Sequence, residues 1–230
     1  MAGSALVTGG TGGLGAAVTT ALLDAGWRVV VPLHDERERD RVPAHERLLL
    51  ERADLFDAAS ASAVAALAAG DGAAPLRAVV NLVGGFSAGE RVHATPAEDF
   101  EAQVRLNLRP TYVVCHATLE HLLAGGGGAI VCVSARAAVR PFAGAAGYVV
   151  GKAAVLALVD ALAVEYRNDG IRANAILPSV IDTPANRRSM PDADHSRWVT
   201  PQQVATVVRF LCEDASQAVS GAHVPVYGRA

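Results

Sequence analysis

The chain has 230 residues, with 20 Lys+Arg against 23 Asp+Glu and a formal net charge of −3. It has no long basic run, which excludes nucleic acid as an expected partner, and no stretch of roughly 18 consecutive apolar residues, which excludes an expected membrane span. Hydrophobic residues make up 51% and charged residues 19%, enough apolar mass for one large core.

Met1-Ala2-Gly3 carries neither a charged leader nor a cleavable apolar stretch, so the expected location is the cytoplasm. Ser4-Ala5-Leu6-Val7-Thr8 reads as a first strand and runs into the glycine-rich stretch from Gly9 to Gly15. Helical periodicity takes over from Leu14 to Ala25 and stops at Gly26. Arg28 to Val31 is a second strand closed by Pro32, and the charged segment from His34 to Arg47 reads as a solvated loop or short helix. Leu48-Leu49-Leu50 is a third strand, followed by Asp54, Leu55 and an alanine-rich helix from about Asp57 to Ala69. Arg77 to Val83 is the fourth strand. Thr95-Pro96-Ala97-Glu98 has a helix-start signature, with Thr95 as cap and Pro96 in first position. That helix is expected to reach Leu123, with Pro110 as a point of bending. A fifth strand, Ala129 to Val133, follows the turn at Gly125 to Gly128. A long apolar helix opens at Tyr148 and runs to about Asn168. Ile171 to Leu177 is the sixth strand, Pro201 to Glu213 a further helix, and His223 to Val226 a last short strand.

Strands of unbroken Val/Ile/Leu character that alternate with helices predict a parallel sheet covered on both faces. No linker or repeat interrupts the alternation. The expected fold is α/β: a single doubly wound, Rossmann-like domain over 1–230 with about seven strands. Cys115, Cys132 and Cys212 each lie in an apolar stretch without a C-x-x-C pair, which predicts buried free thiols in a reducing compartment. The seven histidines show no metal-ligand spacing, so no metal is expected.

Gly10-Thr11-Gly12-Gly13-Leu14-Gly15 satisfies G-x-G-x-x-G between a first strand and a first helix. Glycines there let the backbone approach a pyrophosphate, while the helix N-terminus offers free N–H donors. No G-K-[ST] follows, which argues against a nucleoside-triphosphate loop. Further on, Tyr148 and Lys152 stand four apart on one helix, so both side chains share a face. An ammonium beside a phenol is expected to lower the phenol's pKa and make it a usable proton donor near neutral pH. Read alone, such a pair is an ordinary surface pair.

Thr8-Gly9-x-x-x-Gly13-x-Gly15 is also the spacing of the short-chain dehydrogenase/reductase family, and the resemblance extends over nearly the whole chain. It implies an NAD(P)-dependent oxidoreductase. Asp54 resembles the family residue that contacts the adenine ring, with Leu55 beside it and His34 at the end of the second strand. Asn81-Leu82-Val83-Gly84 looks like the family's N-x-x-G. Asn107 matches the helix asparagine that holds a water leading to the lysine. Ser134 stands fourteen residues before Tyr148, as the family's catalytic serine does. The resemblance makes Tyr148 the general acid, Lys152 its partner and a ligand of the cofactor ribose, and Ser134 the holder of the substrate oxygen. Pro178 to Thr183 is similar to the P-G-x-x-x-T after strand six, with Ile181 and Thr183 on the nicotinamide; Ser179 replaces the usual glycine. Read from residue type alone, Ser134 is a strand-end turn residue, Asp54 a cap, and Asn107 a helix residue bonding its i−4 carbonyl.

The stretch from Leu177 to Trp198 resembles dihydropteridine reductases, which lack a counterpart of Ser134, whereas 3-oxoacyl reductases keep it. A polar lid between Ser179 and Thr200 favours a small carbonyl substrate, with a pterin-like substrate second. Arg187 and Arg188 are expected to hold Asp192 and Asp194 and so close the lid. The strand-two end lacks a carboxylate, and Arg37, Arg39 and Arg41 favour NADP over NAD. The apolar girth of the Pro96–Leu123 and Tyr148–Asn168 helices predicts a homodimer or homotetramer. A non-catalytic dinucleotide sensor is the alternative of another class, and the presence of Asn107, Ser134, Tyr148 and Lys152 together argues for the enzyme.

Overall fold

The computed structural model describes residues 3–70, 72 and 74–229; Met1 and Ala2, on which the leader expectation rests, lie outside them. Seven strands form one parallel sheet: β1 (Ser4–Thr8), β2 (Arg28–Leu33), β3 (Leu48–Arg52), β4 (Leu76–Asn81), β5 (Gly128–Val133), β6 (Ile171–Pro178) and β7 (His223–Val226). Their order is β3-β2-β1-β4-β5-β6-β7. Between them run α1 (Gly15–Asp24), α2 (Ala58–Ala69), α3 (Ala97–Ala124), α4 (Ala146–Glu165), α5 (Pro184–Ser189) and α6 (Pro201–Cys212). The chain leaves β1 toward β2 on one side and returns to β4 on the other. A crevice therefore opens beyond the carboxyl ends of β1 and β4, where ligands bind in sheets of this kind.

The unbroken apolar strands are explained by two cores. Alternate residues point to opposite faces of a sheet. Leu6, Val30, Val79 and Ile130 pack against α2, α3 and α4, while Ala5, Val7, Val31, Val80 and Val131 pack against α1 and α6.

Arginines break the apolar pattern near the amino ends of four strands, and each closes the end of a helix. Arg28 donates to the Leu67 and Ala68 carbonyls of α2, both at 3.1 Å. Arg47 reaches Leu23 of α1 at 3.2 Å, and Arg77 reaches Gly125 at the end of α3 at 2.8 Å. Arg172 reaches Leu211 of α6 at 2.9 Å. Helix ends leave carbonyls without partners and carry partial negative charge, so a guanidinium satisfies both needs. A cavity of about 910 Å³ opens at this amino edge, lined by Trp27, Arg77, Arg167 and Arg172, far from the glycine turn.

Three local expectations are corrected. Pro32 does not end β2, which continues to Leu33. The ladder to β1 stops at Val30, so the proline's missing N–H falls where only β3 still pairs. Thr95 does not cap α3; its hydroxyl donates to the Glu90 and Arg91 carbonyls at 3.0 and 3.2 Å, closing the preceding turn. α4 starts at Ala146, two residues before Tyr148, and ends at Glu165, where a 3-10 turn and Gly170 at φ 72° redirect the chain. The segment read as a polar lid carries a short helix, α5.

Candidate active site

The glycine turn leaves β1 through Gly9 at φ 65°, a conformation that favours glycine. A Cβ on Gly13 would come within 2.9 Å of Thr183 Cγ2, and one on Gly15 would overlap the Gly9 carbonyl. Thr8 Oγ1 accepts from Leu82 N at 3.1 Å, tying the ends of β1 and β4 together. α1 begins after Leu14 without a side-chain cap, so its N-terminal N–H groups suit an anionic group such as a pyrophosphate. The residues expected around a dinucleotide fit on this ground.

On the other side of the crevice, Gly147 and Gly151 let α4 lie close on α3. Cβ atoms there would stand 2.9 Å from Gln103 Cβ and 3.0 Å from Asn107 Cβ. This contact delivers Asn107 to the lysine. Asn107 is fully buried. It accepts from Gly85 N at 3.2 Å and donates to Gly85 O and Gln103 O, both at 3.0 Å. The i−4 bond to Gln103 is thus present, together with a clamp on the loop after β4. Gly84 leaves room for both groups: a Cβ there would be 2.6 Å from Asn107 Oδ1 and 2.8 Å from Lys152 Nζ.

Lys152 is 4% exposed. Its ammonium donates to the Val133 carbonyl at 3.0 Å, and the Ser134 hydroxyl donates to the Lys152 carbonyl at 2.7 Å. The expected lowering of the Tyr148 pKa is not what the environment produces. Burial pushes the phenol up to about 12 and the lysine down to about 8. Desolvation penalises the charged form of each. Phe86 meets Tyr148 edge-on with ring centroids 5.1 Å apart, and Phe142 lies 6.2 Å from Phe86. Both phenylalanines are at least half exposed, giving the mouth an aromatic wall.

Pro178 ends β6 beside Val226, and Ile181 bridges to Val199. Thr183 Oγ1 accepts from Asn186 N at 3.2 Å as the cap of α5 while its methyl touches Gly13. Of the two lid arginines, Arg187 is paired differently from expectation. Arg187 Nη2 holds Asp182 Oδ2 at 2.8 Å across α5, and Asp194 accepts from Ser196 N at 3.1 Å. The helical turn brings Arg187 back over Asp182, a contact that spacing within a loop does not foretell.

The adenosine side is less convergent. Asn81 is buried, with Nδ2 on Cys115 Sγ at 3.4 Å and an unpartnered Oδ1. Asp54 is exposed and accepts from Phe56 N at 2.9 Å, while Leu55 is buried beneath it. His34 is exposed after the buried Leu33. The sequence reading missed the Val133 carbonyl, the small positions Gly147 and Gly151, and Thr11, whose hydroxyl donates to Glu38 Oε2 at 3.1 Å. Only the glycines had a signal, as two small residues four apart on a helix face.

A family model described as Enoyl-(Acyl carrier protein) reductase matches residues 9–228. The chain belongs to the short-chain dehydrogenase/reductase family. As a member of this family, it is an oxidoreductase. It is 32% identical to 2-(R)-hydroxypropyl-CoM dehydrogenase of Xanthobacter autotrophicus, an alignment covering 97% of this chain and 96% of the other. Galactitol 2-dehydrogenase of Rhizobium johnstonii is 33% identical, with 96% and 92% covered. A solved oxidoreductase of the short-chain dehydrogenase/reductase family from Burkholderia thailandensis superposes with a TM-score of 0.88 at 29% identity, covering 99% and 92%.

Proposed function

We propose that this short-chain dehydrogenase/reductase reduces a small carbonyl compound with NADPH or NADH. The observation that carries the reading is the 2.7 Å hydrogen bond that joins Ser134, at the carboxyl end of β5, to Lys152, one turn after Tyr148 on α4. The glycine turn and Thr183 would hold a reduced dinucleotide, which would supply the hydride. Tyr148 gives its proton to the oxygen as charge grows there. Lys152, fixed by Val133 and bordered by Asn107, carries its positive charge on the same helix as the phenol and would hold the cofactor ribose. Ser134 turns its O–H from the Lys152 carbonyl to the substrate oxygen. Phe86 and Phe142 exclude water from the reacting face.

Copies of the chain assemble as a dimer or tetramer through α3 and α4. Tyr112, Val150 and Val164 support this, since they remain exposed on those helices, Val164 at 66%. Three buried free thiols support a cytoplasmic setting. The test is consumption of NADPH or NADH, followed by absorbance, over a panel of compact ketones, aldehydes, a quinonoid dihydropteridine and a 3-oxoacyl thioester. Turnover of a compact carbonyl compound is expected. Failure of every carbonyl compound, with dinucleotide binding intact, overturns the catalytic reading in favour of a sensor.

A further inference from the structure

The cavity of about 910 Å³ at the amino edge of the sheet takes no part in the proposed reaction. Arg77 and Arg172, the second residues of β4 and β6, line it from opposite faces of the sheet, and Arg167 and Trp27 close it. The arginines hold more donors than the protein uses, since a guanidinium has five N–H groups. Arg77 spends Nη1 on the Gly125 carbonyl at 2.8 Å. Arg172 spends Nη1 and Nη2 on the Val219, Leu211 and Glu213 carbonyls and leaves Nε unbonded. Arg167 is exposed, with no side-chain hydrogen bond or ion pair among the described residues. Trp27 is only 5% exposed, and its indole N–H likewise has no acceptor among them. A buried indole usually bonds that group. Of the two lining carboxylates, Glu213 is drawn to Arg209 at 3.4 Å, which leaves Asp214 against three guanidiniums.

We propose that this cavity binds a small organic anion bearing two or more carboxylate or phosphate groups, held by Arg77, Arg167, Arg172 and the Trp27 indole N–H. The site is separate from the crevice at the carboxyl edge, so the inference goes beyond the proposed function and stands or falls without it. A planar guanidinium offers paired N–H groups that match the paired oxygens of a carboxylate or phosphate. Arg77 turns toward the end of α3 and Arg172 toward the end of α6, and their carbonyl bonds fix both stems before any ligand arrives. Two of the three cations are thus preset on either side of the sheet edge. One anionic group cannot serve both, whereas a ligand with two can. The volume falls in the range of about 300–1,000 Å³ that small-molecule sites occupy.

Trp27 can report on the site, because the chain has two tryptophans and Trp198→Phe leaves Trp27 as the sole one. Trp198→Phe protein is titrated at constant ionic strength with citrate, with pyrophosphate and, as a single-charge control, with acetate, each with and without saturating NADP. A saturable change in Trp27 fluorescence is expected with citrate or pyrophosphate at a Kd below about 1 mM, absent with acetate and undisturbed by NADP. A response to citrate alone assigns a polycarboxylate, and one to pyrophosphate alone a phosphate-bearing ligand. Arg167 bonds no helix end, so Arg167→Ala in this background keeps the fold and weakens binding on the order of fivefold, the worth of one exposed ion pair. In the chain with both tryptophans the bound anion raises Tm by linkage, and Arg167→Ala removes most of the rise. The absence of both a saturable response and a Tm rise overturns the proposal. So does an acetate response equal to that of the polyanions, or binding that Arg167→Ala leaves unchanged. Displacement by NADP, which would put the anion at the glycine turn, overturns it as well.

Discussion

Ser134 and Lys152 are tied by crossed hydrogen bonds: the serine hydroxyl donates to the lysine carbonyl at 2.7 Å, and the lysine ammonium donates to Val133 O, one residue before the serine, at 3.0 Å. The end of β5 and the second turn of α4 are therefore one unit. Removing the hydroxyl leaves the ammonium's anchor in place, so Ser134→Ala isolates the oxygen-holding role. Loss of one such donor costs about 10²–10³ in turnover. Ser134→Ala is expected to lose ketone reduction by that factor while a quinonoid dihydropteridine, if accepted, is reduced at close to the wild-type rate. Steady-state kinetics on both substrates check this, and unchanged ketone turnover counts against Ser134.

Tyr148→Phe removes the phenol oxygen and leaves the ring packed against Phe86. General acid catalysis contributes about 10²–10⁴-fold, so turnover should drop by that much with the Kd for NADPH or NADH within about threefold of wild type. A variant that reduces its best substrate at the wild-type rate removes Tyr148 from the mechanism.

Lys152 couples the site to pH through stability. Its pKa falls from 10.5 to about 8 on burial. Between those values the unfolded chain binds more protons than the folded one, so stability rises with pH across the window. Below about pH 8 the buried ammonium exerts its full cost, at most about 3.4 kcal/mol for that displacement. Lys152→Met should therefore melt higher than wild type at pH 7, with the difference gone by about pH 10.5, and should lose turnover. Tyr148 acts in the opposite sense above pH 10, where its raised pKa makes stability fall as pH rises towards 12. Melting curves from pH 7 to 10.5 decide it: a Lys152→Met advantage that grows with pH is the contrary result.

Arg172 serves the opposite edge of the sheet. Its guanidinium donates to Leu211 O at 2.9 Å and Val219 O at 3.2 Å. Arg172→Ala strips α6 of its terminal partner at a cost of about 2–3 kcal/mol, which lowers Tm by roughly 4–12 °C in a chain of this size. Calorimetry checks the shift, and the Kd for dinucleotide should stay at the wild-type value.

Gly151→Val tests the helix contact that brings Asn107 to the lysine. The added Cβ would meet Asn107 Cβ at 3.0 Å and Gln103 O at 3.3 Å, and overpacking of this kind costs about 1–3 kcal/mol. Reduced Tm together with lost turnover is expected. A variant as active as wild type shows that α3 and α4 can part without disturbing Lys152.

Periodicity and turn chemistry are local, and they were enough to predict seven buried strands, the alternating helices, the glycine turn and the Tyr148–Lys152 face. Each depends on residues within a few positions of one another, as with Gly9 at positive φ or the four-residue step from Tyr148 to Lys152. What tertiary structure decided lies between elements distant in sequence. Whether Tyr148 has a high or low pKa depends on how deeply it is buried, which spacing does not encode. Arg187 chose Asp182 because a helix formed in the lid. Glu38 met Thr11, 27 residues away, because a charged loop folded back over the glycine turn. Burial and long-range partners set the electrostatics of a site, and they exist only once the chain has packed.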